Sequence, residues 1–407
     1  MSSIYLALAL ILTFSLNFSL VISDDEDLDV KGPLMFKNPD GSLMTTKQQI
    51  EARKYSGESH TVTTDDGYLL TLFRVIPAKQ PATVVLLQHA LLMSSDAWVT
   101  DNKSLAFTLT DAGYDVWMAN SRGNCYSRKH TTFDPDKDKS FWNFGLHELG
   151  TKDLPAVIDY ILKTTGQTKL HLAAHSGGNS MAFAMASQKP EYNDKLKSLQ
   201  ALSPFVFVSK MAEMIGPDGM VEAMTAQYID QIKAADKWEM FPRKDFVKNN
   251  KTQVTCEDVE ENYRSMCSEK MEMVHEILGG AYIPAGQSTK AVLHFYQIGV
   301  AGVMNYYKFD TPEENEKAYG TKEPPSYTKD FKNITAPTIL WTGEHDGLIQ
   351  TQDVDNLKPL LGNLVADYRI PDDCFDISTF NYARKVACSS VRERVYKELI
   401  ESLKKFD

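Results

Sequence analysis

Past His345 this chain contains no histidine, although it runs on to Asp407. Five cysteines in 407 residues are too few for a disulfide framework, so a buried core has to hold the protein together. Basic residues are outnumbered, 43 against 54 acidic ones, and the net charge of −11 leaves no basic stripe. That balance excludes a nucleic-acid partner, which would need one. Neither an internal repeat nor a low-complexity tract is present. With 43% hydrophobic residues, the chain can bury a large core, and one domain of about 250 residues carrying an insertion fits better than several small ones.

Only one long apolar run exists, from Ile4 to Ile22. Val21 and Ser23 stand where signal peptidase prefers small residues, so residues 1–23 read as a cleaved signal peptide. The competing reading is an uncleaved anchor, because the run approaches the roughly 20 residues that span a bilayer. Thr13, Ser15, Asn17 and Ser19 weaken its second half, and Asp24-Asp25-Glu26-Asp27 follows at once. Acceptor triplets for N-glycosylation at Asn102, Asn250 and Asn333 agree with secretory passage. Cys256 and Cys267 are close enough in sequence to staple a local loop in an oxidising compartment. Cys125, Cys374 and Cys388 then leave an odd number of thiols, read as buried structural residues.

Downstream, strand and helix patterns alternate. Thr83–Leu87, Tyr114–Ala119, Leu170–His175, Ser198–Leu202 and Thr338–Trp341 read as strands, several of them continuous apolar runs of the kind buried on both faces. Ser104–Ala112, Lys152–Leu162 and Met181–Ala186 read as helices, the first two stopped by Gly113 and Gly166. Such alternation predicts an α/β fold with a mostly parallel sheet covered on both faces. From 206 to 330 the rhythm changes to helical patterns rich in Met, Glu and Lys, read as an inserted helical cap. The core then comprises 24–205 and 331–407.

Three loops that follow strands carry candidate chemistry. Ala174-His175-Ser176-Gly177-Gly178 has small residues two before and two after a serine, as a strained strand-to-helix elbow requires. Gln88-His89-Ala90-Leu91-Leu92 follows a buried strand where one oxyanion donor belongs. Leu91 and Gly177 are the candidate backbone donors for a developing alkoxide. Gly343-Glu344-His345-Asp346-Gly347 offers Asp346 as the orienting acid.

Together with Val62-Thr63-Thr64-Asp65-Asp66-Gly67-Tyr68, Ser94-Ser95-Asp96, Ala119-Asn120-Ser121-Arg122-Gly123-Asn124, Asp153-Leu154-Pro155-Ala156 and Pro324-Pro325-Ser326-Tyr327, these segments resemble the acid lipase family of gastric and lysosomal lipases, its insect members above all. The resemblance runs from about Val62 to Ile400. It implies an α/β-hydrolase fold with a helical cap and lid, cleavage of neutral-lipid esters such as triacylglycerols and steryl esters, and no metal or cofactor. The expected partner is a neutral lipid or fatty-acyl ester, presented by a lipid-droplet or micelle surface, and the expected location is extracellular or lysosomal. Position by position it implies Ser176 as nucleophile, Asp346 as triad acid, Leu91 and Gly177 as oxyanion donors, and a Cys256–Cys267 bridge in the cap.

Three positions depart from the family pattern. Ala90 and Ala174 replace glycines, at a strain of about 1 kcal/mol. The third departure concerns the base. The signature that carries the family histidine aligns with Phe375–Arg384, placing Ile377 in the histidine's position, or Tyr382 in a second register. Isoleucine accepts no proton, and a phenol is a poor base near neutral pH. His175, His89 and His147 are the remaining nearby candidates and read as structural. Two functions are therefore expected alternatives: a lipid-ester hydrolase impaired at its base, or a non-catalytic lipid-binding or carrier relative.

Overall fold

Strands β1 (Ser56–Thr63) and β2 (Leu69–Ile76) form an antiparallel hairpin, paired from Ser56 with Ile76 to Thr63 with Leu69. The strands that follow are β3 (Val84–Gln88), β4 (Asp115–Met118), β5 (Leu170–His175), β6 (Leu196–Leu202), the short β7 (Glu239–Met240) and β8 (Gln287–Ser288), β9 (Thr338–Gly343) and β10 (Leu364–Ile370). The computed structural model describes residues 38, 43–100, 102–215, 229–243, 284–344, 346–371 and 389–407. The expected signal peptide, Asn250, the Cys256–Cys267 bridge, Cys374, Cys388, His345, Ile377 and Tyr382 lie outside those residues.

The main sheet has eight strands in the order β1-β2-β4-β3-β5-β6-β9-β10. From β4 to β10 every neighbouring pair is parallel, while β2 meets β4 antiparallel. The mostly parallel α/β sheet read from the sequence is therefore present, extended at one edge by a hairpin that the alternation did not reveal.

Buried on both faces, β3, β5 and β9 have no exposed residue. Alternate side chains enter different cores. Leu86, Leu172 and Ala174 join Val157, Ile158, Ala182 and Phe183 of the helices Leu154–Thr165 and Gly177–Gln188. Val85, Leu87, Ala173 and Trp341 join Phe107 of helix Leu105–Asp111 and Val395, Leu399 and Leu403 of helix Ser389–Lys404. Each fully buried Leu, Val or Phe contributes about 1.5–3 kcal/mol, which makes these two layers the main source of stability.

The expected helix Lys152–Leu162 lies within a longer helical stretch. Where Lys152–Leu162 was anticipated, a π-helical turn Leu149–Asp153 comes first and the α-helix runs Leu154–Thr165, ending on Gly166 at φ 70°. Two constraints meet at that turn. Asp153 is bound by Arg122, and Gly150 sits so close to the Met181 carbonyl that a methyl group would come within 2.7 Å of its oxygen.

The chain leaves β3 for β4 on one side and later returns with β5 on the other, so strand order reverses between β3 and β5. Ligands of open α/β sheets bind at such a reversal, outside the carboxyl ends of the strands. The segment from 203 to 337 adds no strand to the main sheet among the described residues. It contributes helices Ser209–Ile215, Thr289–Ala301 and Pro312–Tyr319 and the β7–β8 pair.

Candidate active site

Ser176 follows β5 with φ 50° and ψ −119°, a left-handed conformation that a non-glycine residue adopts only when its surroundings enforce it. Three backbone hydrogen bonds do so. Ser176 N donates to Leu202 O at 2.9 Å, and its carbonyl accepts from Asn179 N at 2.9 Å and Phe205 N at 3.4 Å. The residue is 6% exposed and stands at the amino end of helix Gly177–Gln188. No hydrogen bond links its hydroxyl to another described residue.

Close approach explains the small residue two positions on. A methyl group on Gly178 would lie 2.7 Å from His89 O and 2.9 Å from Gln88 O. Ala174 and Ala90 are accommodated because neither has a positive φ. The left-handed position of the β3 loop falls instead on Leu92, at 62°. Ala174 is an ordinary strand residue paired with Gln88 and Ala201.

Leu91 and Gly177 are brought together, since a methyl group on Gly177 would lie 3.3 Å from Leu91 N. The loop bearing Leu91 is fixed by His89, whose Nδ1 donates to Ala90 O at 2.7 Å while Nε2 accepts from Ser121 N at 3.1 Å. Burial pushes this imidazole down to about 4, so it stays neutral and keeps both bonds at working pH. Asp346 follows β9, two strands from the elbow. Its Oδ1 accepts from Leu348 N at 2.9 Å and Ile349 N at 3.0 Å, and the residue is 4% exposed. Ser203 N bonds Trp341 O across β6 and β9, joining the segment beside Ser176 to the strand that leads to Asp346.

Each described histidine is engaged elsewhere. His175 projects to the opposite face of the sheet, edge-on to Trp98, and burial pushes it down to about 3. His147 bonds Tyr327 Oη at 3.0 Å through Nδ1. His294 Nδ1 accepts from Leu146 N and Nε2 donates to Asn305 O, with burial pushing it to about 4. His171 lies between Ser198 Oγ at 2.8 Å and Asp407 Oδ1 at 3.1 Å, a serine–histidine–aspartate row with its serine wholly buried. His60 pairs with Tyr160 and Glu58, and His130 with Asp66 O.

Sequence reasoning did not single out the apolar wall over the elbow. Phe295, from helix Thr289–Ala301, is so near Gly177 that a methyl group there would meet its ring at 2.9 Å. Phe205 packs against Phe295 at 5.8 Å between ring centroids. Helical periodicity marks Phe295 as buried without saying against what. Asn102 and Asn333 are both exposed, and the Asn333 amide also donates to Ser187 O at 3.2 Å. Cys125 is a free thiol that burial raises to about 12. Among the described residues, no group of three or more His, Cys, Asp or Glu is placed to hold a metal ion, and no helix is long and apolar enough to cross a membrane.

Residues 83–381 match the family described as alpha/beta hydrolase fold, and residues 46–102 match a partial alpha/beta-hydrolase lipase region. Lipase 1 of Drosophila melanogaster is 36% identical over 379 residues, spanning 89% of this chain and 80% of that protein. Gastric triacylglycerol lipase of Mus musculus is 33% identical over 392 residues, spanning 91% and 93%. Among solved structures, a soluble variant of monoglyceride lipase from Saccharomyces cerevisiae, in complex with a substrate analog, matches with a TM-score of 0.53 at 15% identity, covering 86% of this chain and 94% of that one. The likeness concerns the fold alone.

Proposed function

The chain belongs to the acid lipase family of α/β hydrolases, and from that membership we propose that it binds neutral-lipid esters at Ser176 and cleaves them slowly, its acyl transfer impaired at the base. In this reading the ester carbonyl lies between Leu91 N–H and Gly177 N–H, with the acyl chain along Phe205 and Phe295. Ser176 Oγ attacks the carbonyl carbon and the oxyanion forms against the two donors. The missing step is removal of the hydroxyl proton, for which Ile377 offers no lone pair.

One observation carries the proposal: a strained, nine-tenths buried serine beside two backbone donors, while each described histidine is engaged by other groups, His175 by a ring contact with Trp98 and the rest by hydrogen bonds. Losing the base of a serine hydrolase costs on the order of a million-fold in turnover. The oxyanion donors alone retain roughly a thousand-fold over water. Asp346 is the acid of this reading, its Oδ1 fixed by Leu348 N and Ile349 N. We extend the proposal to secretion after cleavage at residue 23, a Cys256–Cys267 bridge, a cap over 206–330 and glycans at Asn102, Asn250 and Asn333.

A second reading, a lipid carrier with no turnover, draws on the same apolar wall. Hydrolysis of fluorogenic short- and long-chain esters by the mature protein, beside Ser176→Ala, separates the two. Slow turnover lost in Ser176→Ala supports an impaired hydrolase. Equal lipid binding by both proteins with no hydrolysis in either supports the carrier.

A further inference from the structure

The Ser94-Ser95-Asp96 segment has no part in the proposed chemistry, yet Asp96 collects five side-chain hydrogen bonds while only 2% exposed. Its Oδ1 accepts from Thr46 Oγ1 at 2.7 Å, Tyr126 Oη at 2.9 Å and Gln49 Nε2 at 3.0 Å. Its Oδ2 accepts from Ser94 Oγ at 2.8 Å and Arg243 Nη2 at 3.0 Å. Burying a carboxylate is costly unless it is paired and fully hydrogen-bonded, and only an ionised carboxylate accepts five donors without offering one in return. These donors come from four separate segments.

Arg243 follows β7, and β7 pairs with β8, which leads into the helix that sets Phe295 on the elbow. On the other limb, Ala285 N donates to Leu92 O at 2.8 Å, and Cys125 N donates to Ala285 O at 2.7 Å. Both limbs are thus fastened to one short loop, at Leu92 and Asp96, and that loop carries Leu91. We propose that Asp96 is a positioning residue: through Arg243 and helix Thr46–Ala52 it holds the Leu91 N–H against the elbow, so the β7–β8 pair with helix Thr289–Ala301 and the oxyanion donor move as one unit. The inference rests on Leu91 and Gly177 being the oxyanion donors.

The test uses the mature protein and a long-chain alkyl fluorophosphonate. Its P–F bond breaks as P–Oγ forms at Ser176, the serine proton passes to solvent, and the phosphoryl oxygen has to occupy the two donors. Labelling rate is followed by intact mass. A fluorescent long-chain alkyl ether, which has no carbonyl, reports the apolar pocket separately. Asp96→Asn slows labelling by at least about tenfold and leaves ether affinity within about twofold. Arg243→Gln does the same, and the double variant is no slower than the slower single one, because the two residues act as one link. Should Asp96→Asn fail to fold in a thermal melt, Arg243→Gln and its rescue by Arg243→Lys carry the test alone. Unchanged labelling overturns the proposal, as does a parallel loss of labelling and ether binding. A natural protein never labelled at Ser176 even at about pH 9–10, where hydroxide supplies the missing base, overturns the site reading itself, and this inference with it.

Discussion

Arg122 holds the Asp153 carboxylate from two directions, its backbone N–H donating to Oδ2 at 2.9 Å and its Nε to Oδ1 at 2.6 Å. The rest of the guanidinium binds both oxygens of Asp66 and stacks over Tyr68 at 3.9 Å. Arg122 is 1% exposed, so removing it strands a buried carboxylate. Arg122→Ala is expected to cost about 3–5 kcal/mol in urea unfolding. A cost under about 1 kcal/mol would show that water reaches Asp153.

Gly178 and Gly347 make a paired contrast. Gly178→Ala drives a methyl group against two backbone oxygens that cannot turn aside, at an expected cost of about 1–3 kcal/mol and with reduced Ser176 labelling. No described residue lies within 4 Å of a methyl group on Gly347, and its φ is not positive, so Gly347→Ala should stay within about 0.5 kcal/mol of the natural protein. Differential scanning calorimetry compares the two directly.

Acid should destabilise the fold through its buried histidines. Burial lowers the folded-state pKa of His89 and His294 to about 4 and of His175 to about 3, against about 6.5 when unfolded. Between those values the unfolded chain binds more protons, so stability is full above pH ~6.5 and drains away as pH falls toward 4. Each histidine contributes on the order of 2 kcal/mol to that loss. Asp153, raised by burial to about 6 against the pull of Arg122, works in the opposite sense from pH 6 downward, one group against five, since burial also lowers His147 and His171. Melting temperature measured from pH 7.5 to 4.5 should fall, and His294→Gln should flatten the slope. A curve flat across this range would mean that these rings are solvated.

On the proposed reading of an impaired hydrolase, a histidine at position 377 should raise turnover. Ile377→His is expected to raise ester hydrolysis by about a hundredfold or more, with a new ionisation near pH 6–7 in the rate profile. No gain from that variant, with Ser176 still labelled by fluorophosphonate, would shift attention to Tyr382→His.

How much was legible depended on whether the signal was local. The runs Val84–Gln88, Leu170–His175 and Thr338–Gly343 are apolar because both faces are covered, and they could be read directly. Strand β1 could not, because its polar sequence Ser56–Thr63 lies at the sheet edge with most residues partly or fully exposed. The helix expected from Lys152 is present, but its π-helical turn Leu149–Asp153, where Arg122 binds Asp153, leaves no mark in the sequence. At the site, Ser176, Gly177 and Leu91 each carried a local motif and are found together. Phe295 and Arg243 carried none, since their importance comes from segments that reach the elbow only through the fold.

The shape at Ser176 is imposed by Leu202, Asn179 and Phe205, none of which takes part in proton transfer. Posture and reactivity are thus written in separate stretches of the chain. A lineage can surrender the second by a single substitution near its end while selection on folding preserves the first. A serine on this elbow is consequently a fossil as readily as a tool, and census-taking by that motif alone counts both as enzymes.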